Sequence, residues 1–474
     1  MANSNFIKFR EEYPKFIYEN YNIEENENEI VLSFEFEIEK LSKFNPKLII
    51  PKKNIIKLNS KLDLTSNMFK NLVFNLGMVE LISYYKLTCS PKIIVKCGFL
   101  SVKQIAWFKK LIYNGLGEFM YVNDIDITID ELVNISSSKN MKLSINENTN
   151  KLKGQLIPIG GGKDSCVSLE VLESLRKINT PFIINERQAT INTVKKADYL
   201  DNYISINRIL DKNMLDLNKK GFLNGHTPFS AMVAFTSLII AYLTNKKYII
   251  LSNESSANEP SVIGTDINHQ YSKSFEFEND FRNYEKEFLK TNIEYFSLLR
   301  PLTELQIAML FSSYKKYHEI FRSCNKGSKE DIWCTDCSKC LFVYIILSPF
   351  LEDNELIKIF GENLFEKDAL YYTLMQLIGK EETKPFDCVG TYEEVNYCLC
   401  KKISILNELD EKLPILLENY VTDILGGNIQ KAKGIVEIYE DELLNNFEAN
   451  NLNEEFQKLL KKALKGVKNG RINK

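Results

Sequence analysis

Residues 156–172 read LIPIGGGKDSCVSLEVL: an apolar stretch, three glycines, Lys-Asp-Ser, then a second apolar stretch. No other segment limits the fold so tightly. A tight turn needs one glycine, whereas three in a row let backbone N–H groups close around an anion. The run before them reads as a strand, and the run after them as a helix starting near Ser165. That helix would add unpaired N–H groups and the positive end of its dipole. Open α/β sheets bind ligands at the carboxyl ends of their strands, so the loop Gly160-Gly161-Gly162 is predicted to hold a polyphosphate. Lys163 offers a cation, Ser165 a hydroxyl, and Asp164 a carboxylate for magnesium. The pattern is not a Walker A loop, because Ile157 stands where its first glycine would be and Asp164 follows the lysine. It does not fit the Gly-x-Gly-x-x-Gly dinucleotide fingerprint either.

The segments around this loop set the fold class. From 155 to about 345, QLIPI, a helix from 165, PFIINE, DNYISI, a helix over 229–243 and KYIILSNE alternate. This predicts an α/β fold with a doubly wound parallel sheet. Upstream, EIVLSFEFEI (29–38) alternates like a half-buried strand, and NMFKNLVFNLGMVELISYYK (67–86) puts Met68, Leu72, Leu76 and Val79 on one helical face. PKIIVKCGFL reads as a strand and QIAWFKKLIYNGL as a helix, so this region is α+β; the polar stretch 136–154 reads as a linker or hairpin rim. After 350 the pattern is helical and charged, and the basic KLLKKALKGVKNGRINK reads as a solvated helix end. A chain of 474 residues exceeds one core. Three domains are expected: 1–150 (α+β), 151–345 (the parallel sheet) and 346–474 (a helical C-terminal region).

A net charge of −3 provides no broad positive field for nucleic acid or anionic membrane. The N-terminus lacks a signal-peptide layout, and the longest apolar run, AMVAFTSLIIAYL (231–243), is too short to span a bilayer. The expectation is a soluble cytoplasmic protein acting on a small molecule. Its ten cysteines then need a reason other than disulfides. Cys324, Cys334, Cys337 and Cys340 form a Cys-x9-Cys-x2-Cys-x2-Cys array, which suits a closed structural zinc site, with a small iron–sulfur cluster as the alternative. Cys89, Cys97, Cys166, Cys388, Cys398 and Cys400 read as buried small residues, Cys166 being notable for its place beside the glycine loop.

Other polar residues stand where chemistry is plausible. His226, in LNGHTPFSA, precedes a helix beginning near Pro228; the dipole keeps such a histidine neutral, and a structural hydrogen bond explains it equally well. In LSNESSANE, Ser252, Asn253 and Glu254 follow a buried strand at the ligand edge, where turn chemistry accounts for Asn and Ser better than for Glu254 and Glu259. Arg300, in RPLTELQ, is either a clamp for a carboxylate or phosphate or a salt bridge.

GGGKDS resembles the pyrophosphate loop of the N-type ATP pyrophosphatases (PP-loop enzymes), usually Ser-Gly-Gly-x-Asp-Ser, with Gly160 where most have Ser. RPLTELQ is similar to the Pro-Leu segment after their last core strand. The resemblance implies their fold and ATP cleavage between the α and β phosphates, through an adenylated substrate to AMP and pyrophosphate. It also implies that Gly161, Gly162, Asp164 and Ser165 hold the β and γ phosphates and magnesium, with an adenine pocket near Ile184, Asn185 and Glu186. The cysteine array is similar to the zinc loop of cyano-deazaguanine synthase. YYKLTCSPKI, GLGEFMYVN, GGGKDS, LNGHTPFSA, SNESSAN, RPLTEL, WCTDCSKC and KPFDCVGT resemble, in this order over roughly residues 70–400, the epimerases that act on UDP-N-acetylmuramoyl-L-alanyl-L-glutamate. This implies ATP- and magnesium-dependent inversion of the terminal glutamate of a nucleotide-sugar peptide, in peptidoglycan precursor synthesis.

The chemistry of such a reaction explains the need for ATP. The hydrogen beside a free carboxylate is hardly acidic, since its removal builds a second negative charge. Esterifying that carboxylate to AMP lets the carbonyl take up the carbanion as an enolate, which donors or a cation must stabilise. Inversion then needs one mobile base or two opposed ones. His226, Glu254 and Cys166, in that order, are the acid–base candidates, with Asn253 and Arg300 for substrate. Two rivals remain: another adenylating enzyme (nitrile synthase, amide ligase or tRNA thiolase) and a non-catalytic nucleotide sensor.

Overall fold

Alternating burial along the strands builds the molecule in layers. In the computed structural model, which describes residues 4–259, 268 and 271–468, eleven strands form one sheet. They are β1 (Lys15–Glu25), β2 (Glu29–Ile38), β3 (Ser42–Phe44), β4 (Lys47–Pro51), β5 (Lys92–Val95), β6 (Asn134–Ser137), β7 (Gln155–Pro158), β8 (Asn179–Ile184), β9 (Ile204–Ile209), β10 (Tyr248–Leu251) and β11 (Glu294–Ser297). The order is β11-β10-β7-β8-β9-β4-β2-β1-β5-β6, with β3 on β2. From β11 to β9 every pairing is parallel, and β1-β5-β6 are parallel at the other end; the pairings of β2 and the β4–β9 pairing are antiparallel.

Successive residues of the parallel strands enter two different cores. Leu156, Phe182, Ile249 and Tyr295 face one, with the helices Asn67–Glu80, Phe229–Leu243 and Phe275–Tyr284. Ile157, Ile183, Ile250 and Phe296 face the other, with the helices Lys163–Val171, Glu304–Ser312, Ser338–Leu347 and Tyr392–Glu408. Helices on both faces make this part of the sheet doubly wound. Its strand order reverses between β7 and β10, and ligands of open α/β sheets bind in the crevice at such a switch point. The glycine loop follows β7, and Glu254 follows β10.

Several sequence expectations are met locally. In β2, Ile30, Leu32, Phe34, Phe36 and Ile38 are buried in alternation. The helix Phe229–Leu243 holds the long apolar run, which is core, and no helix among the described residues is long and apolar enough to cross a membrane. One expectation needs correction. The helix Asn67–Glu80 has no single apolar face: it packs against β1 and the helix Phe229–Leu243, so Asn71, Val73, Phe74 and Asn75 are buried too, while Met68 is half-buried. Beyond β11 the described residues are helical and irregular; in the helix Glu454–Lys468 Phe456, Leu460 and Leu464 are buried, and the rest of the basic tail, 469–474, lies outside the described residues.

The sheet runs unbroken across residue 150 because β4 pairs with β9, Leu48 facing Arg208. Arg208 donates from Nε and Nη2 to the Glu80 carboxylate at 2.7 and 2.9 Å, and to Ser83 Oγ at 2.9 Å. Glu80 is 1 % exposed. Glu80→Ala leaves a buried guanidinium without its counter-charge and is expected to destabilise by about 3–5 kcal/mol, read as a shift in urea midpoint.

Candidate active site at the sheet switch point

The glycine loop is an open turn that leads straight into a helix start. Gly161 has φ +83°, and a Cβ there would lie 3.0 Å from both Ala189 Cβ and Thr190 N. Its carbonyl accepts from Arg322 N at 2.9 Å. Gly162 caps the helix Lys163–Val171, which begins two residues before Ser165, and a Cβ on it would meet Ser323 Cβ at 3.4 Å. Ser323 Oγ is buried and has no hydrogen-bond partner among the described residues, an orphan hydroxyl beside this helix start. A Cβ on Gly160 would meet nothing within 4 Å. The loop therefore offers helix-start N–H groups and open space, which fits a phosphate chain. Ser165 Oγ donates to Gly162 O at 3.0 Å, closing the first turn.

Lys163 points inward. It is 2 % exposed; its Nζ donates to Asp164 Oδ1 at 2.5 Å and to the buried Glu304. Burial by itself would depress this ammonium, but Asp164, then Glu304 and Glu254, raise it above its ordinary value. Asp164 is the member of the group that looks out, its side chain 31 % exposed, and a partly solvated carboxylate beside the loop fits a magnesium ligand. Burial pushes the Glu304 carboxyl up to about 7, with Lys163 opposing and Asp164 and Glu254 adding. Burial, then Asp164, also raises Glu254, with Lys273 and Lys163 opposing.

Arg300 is 1 % exposed. It donates to Glu278 Oε2 at 3.2 Å, to Glu254 O at 2.6 Å and to Lys273 O at 2.5 Å. Of the two readings of this residue, the salt bridge is the one present, and Arg300 positions the backbone of Glu254 and Lys273. Lys273 Nζ donates to Cys388 Sγ at 2.8 Å, and Lys339 Nζ to the Cys388 carbonyl. Cys388 is half-exposed, which corrects its reading as a buried small residue. The other five cysteines of that group are buried. Glu304, Lys273, Lys339, Glu394 and Cys388 are cluster members that the sequence reading did not select, although RPLTEL and KPFDCVGT contain two of them.

The remaining candidates lie as follows. Asn253 is half-buried between Ser252, whose Oγ is 2.7 Å from Ser168 Oγ, and Glu254. Cys166 is fully buried, its Sγ 3.8 Å from Thr193 Oγ1, and burial pushes its thiol well up. His226 Nδ1 lies 3.6 Å from Glu118 Oε2, next to Gly225, whose carbonyl accepts from Lys86 at 2.7 Å. Asn185, at φ +57°, exchanges hydrogen bonds with the backbone of Arg208. Glu186 accepts from Tyr203 at 3.0 Å and lines a cleft of about 540 Å³ with Lys53, Asn54 and Lys57.

The four clustered cysteines converge. Their sulfur atoms all lie within 4.8 Å of one another, with Cys324–Cys337 at 3.8 Å, Cys334–Cys340 at 3.7 Å and Cys337–Cys340 at 3.5 Å. Tetrahedral Zn–S bonds of about 2.3 Å put sulfurs about 3.8 Å apart, so the set can hold a single metal ion such as zinc. Cys337 caps the helix Ser338–Leu347, whose dipole favours a thiolate there.

Comparison with known proteins gives two family matches. Residues 8–298 match the model of the MurL N-terminal domain, and residues 320–413 that of the MurL C-terminal domain. The chain belongs to the MurL family. Similar relatives are named UDP-N-acetyl-alpha-D-muramoyl-L-alanyl-L-glutamate epimerase. The protein from Micromonospora sp. is 33% identical over 342 residues, 71% of this chain and 74% of the relative. The one from Salinispora tropica is 34% identical, covering 67% and 70%; the one from Xanthomonas oryzae pv. oryzae is 31% identical, covering 67% and 71%. The glycine loop, Glu254 and the Glu304 helix are thus the switch-point features of a MurL-family chain.

Two outcomes are expected. Gly160→Ser has room and a compatible φ, so thermal stability should hold; Gly161→Ala should lower it by about 1–2 kcal/mol through its left-handed backbone, more if the contact with Ala189 does not relax. Glu394 accepts from Glu304 N at 2.6 Å and Thr391 N at 2.7 Å, and burial, then Glu304, pushes its carboxyl up to about 7. Between its ordinary 4.5 and 7 the folded state holds a proton the unfolded chain has lost, so stability falls as pH rises through that window, by up to about 3 kcal/mol. Glu394→Gln should flatten that fall in urea titrations.

Proposed function

We propose that this protein is an ATP-dependent epimerase of the terminal glutamate in UDP-N-acetylmuramoyl-L-alanyl-L-glutamate, built on a PP-loop ATP pyrophosphatase-like fold. The observation that carries this reading is the Gly160–Ser165 loop at the switch point, with Asp164, Glu254 and Glu304 gathered around Lys163, in a MurL-family chain. The relatives' name supplies the substrate. The loop N–H groups hold the β and γ phosphates, and Asp164 holds magnesium, which neutralises phosphate charge when bound.

The reaction adenylates the α-carboxylate and releases pyrophosphate. The mixed anhydride removes the negative charge next to the α-carbon, so a base can take the α-proton and the carbonyl oxygen takes the electron pair. Reprotonation on the other face, then hydrolysis, yields the D-glutamate and AMP. Glu254 is the favoured acid–base group of the three candidates. It faces the ion-pair cluster and burial biases it toward its protonated form, whereas Cys166 is enclosed in the core and His226 keeps company with Glu118 and Lys86.

The test is direct. With ATP, magnesium and the L-Glu substrate, the product should carry D-Glu and, in D₂O, deuterium at its α-carbon. An ATP analogue blocked between the α and β phosphates should give neither. AMP without exchange would point to an adenylating ligase or hydrolase. Asp164→Asn should lower AMP formation at least ~100-fold with the fold intact. The four-cysteine site is read as structural zinc. About one zinc per chain should co-purify, and Cys334→Ser should lower yield and melting temperature more than it lowers turnover of the folded fraction.

A further inference from the structure

One thiol outside the four-cysteine cluster is half-exposed and paired with a cation rather than packed as core. Cys388 is half-exposed, and Lys273 Nζ lies 2.8 Å from its sulfur. An ammonium in that position stabilises a thiolate. The pairing is rigid from both sides. Lys339, between two metal-site cysteines, holds the Cys388 carbonyl; Asp387 accepts from Ser338 and Asn325. Arg300 holds the carbonyls of both Lys273 and Glu254. Lys273 is thus paired with the thiol and tied through Arg300 to the Glu254 backbone, and Cys388, then Glu254, offset the burial that would otherwise depress its ammonium. Two residues before Cys388, the segment touches a cavity-lining residue. Phe386 packs on Tyr121, ring centroids 5.5 Å apart, and Tyr121 lines a cavity of about 880 Å³ with Tyr113, Asn114 and Met120. A half-exposed thiol, a lysine on its sulfur and a carboxyl whose backbone Arg300 ties to that of the lysine are the parts an inverting proton transfer needs.

We propose that Cys388 is a catalytic acid–base residue acting on the glutamate α-carbon opposite Glu254, with Lys273 as the cation that poises both. This rests on the epimerase reading above. In one direction the Cys388 thiolate takes the α-proton: the C–H bond breaks, S–H forms, and the electron pair moves onto the adenylate carbonyl as an enolate. The Glu254 carboxylic acid then gives its proton to the opposite face as the enolate pair returns to carbon. The enzyme is left with a thiol and a carboxylate, and proton exchange with solvent resets them. Arg300 is a positioning residue here.

The experiment uses the full-length, metal-loaded protein with ATP, magnesium and UDP-N-acetylmuramoyl-L-Ala-L-Glu in D₂O. It follows AMP release and α-deuteration separately. Cys388→Ala and Cys388→Ser should each lower deuteration and inversion at least ~100-fold, with AMP release within about threefold of wild type. Wild-type deuteration in either variant would overturn the proposal, and so would equal loss of AMP release and deuteration in a folded variant. Where a variant does not fold, iodoacetamide on the wild-type protein gives the answer by peptide mapping. Alkylation of Cys388 should abolish deuteration and spare AMP release; alkylated protein that still deuterates would overturn the assignment. A wild-type protein that forms no AMP and inverts nothing would overturn the epimerase reading with it, and that is seen before any variant is compared.

Discussion

A buried lysine orders the site. Lys163 is the first residue of its helix, and its ammonium is almost fully enclosed. Removing an ammonium from water costs several kcal/mol unless a counter-charge meets it. Glu304 is that counter-charge, and it sits at the start of the helix that follows β11. The ion pair therefore ties the loop after β7 to the segment after β11, across the switch point. It also redistributes duties. A lysine in a polyphosphate loop is expected to face the phosphates, but this one faces the protein. In the proposed function, the work of holding an anion passes to the helix-start N–H groups, the open side at Gly160 and the orphan hydroxyl of Ser323. Asp164 shares the lysine and still reaches solvent, so the one outward carboxylate is held by the same cation that fixes the loop.

The carboxylates respond to one another as a set. Glu304, Glu254 and Glu394 all carry raised carboxyl groups because burial disfavours their charge, and each neighbour that ionises makes the next harder to ionise. The lysines set the limit on this repulsion. Arg300 holds two carbonyls and Glu278, fixing where Glu254 and Lys273 stand.

What was legible in the sequence was what local spacing encodes. The alternation of β2, the helix Phe229–Leu243 and the four-cysteine array depend on residues a few positions apart, and the structure has each. The glycine loop was legible because its composition is costly elsewhere. Pairings that depend on distant residues were not. The short β4, ending at Pro51, gives no strand signal of its own, yet its antiparallel pairing with β9 unites the sheet. Cys388 lies 115 positions from Lys273, and no spacing rule links a lone thiol to a lysine so far away. The same holds for Lys273 and Glu394. The helix Asn67–Glu80 shows the complementary failure: periodicity assumes one wet face along its length, but this helix is open only at its first turn, where Met68 lies, and is enclosed from Asn71 onward.

The four-cysteine loop lies beside the candidate site, which gives the proposed structural ion a role. Residues 325–331, NKGSKED, are polar and offer almost nothing to bury, so the apolar hold on this loop comes from its flank, where Trp333 packs on Phe321 and Phe360. Four thiolates on one ion would add a second hold. The chain segments they anchor are those that touch the site. Arg322 and Ser323, just before Cys324, meet Gly161 and Gly162. Lys339, between Cys337 and Cys340, meets the Cys388 carbonyl and lends positive charge to Glu304. An ion held there would brace both segments, the one that meets the glycine loop and the one that meets Cys388. A tetrahedral centre would do so through four short bonds.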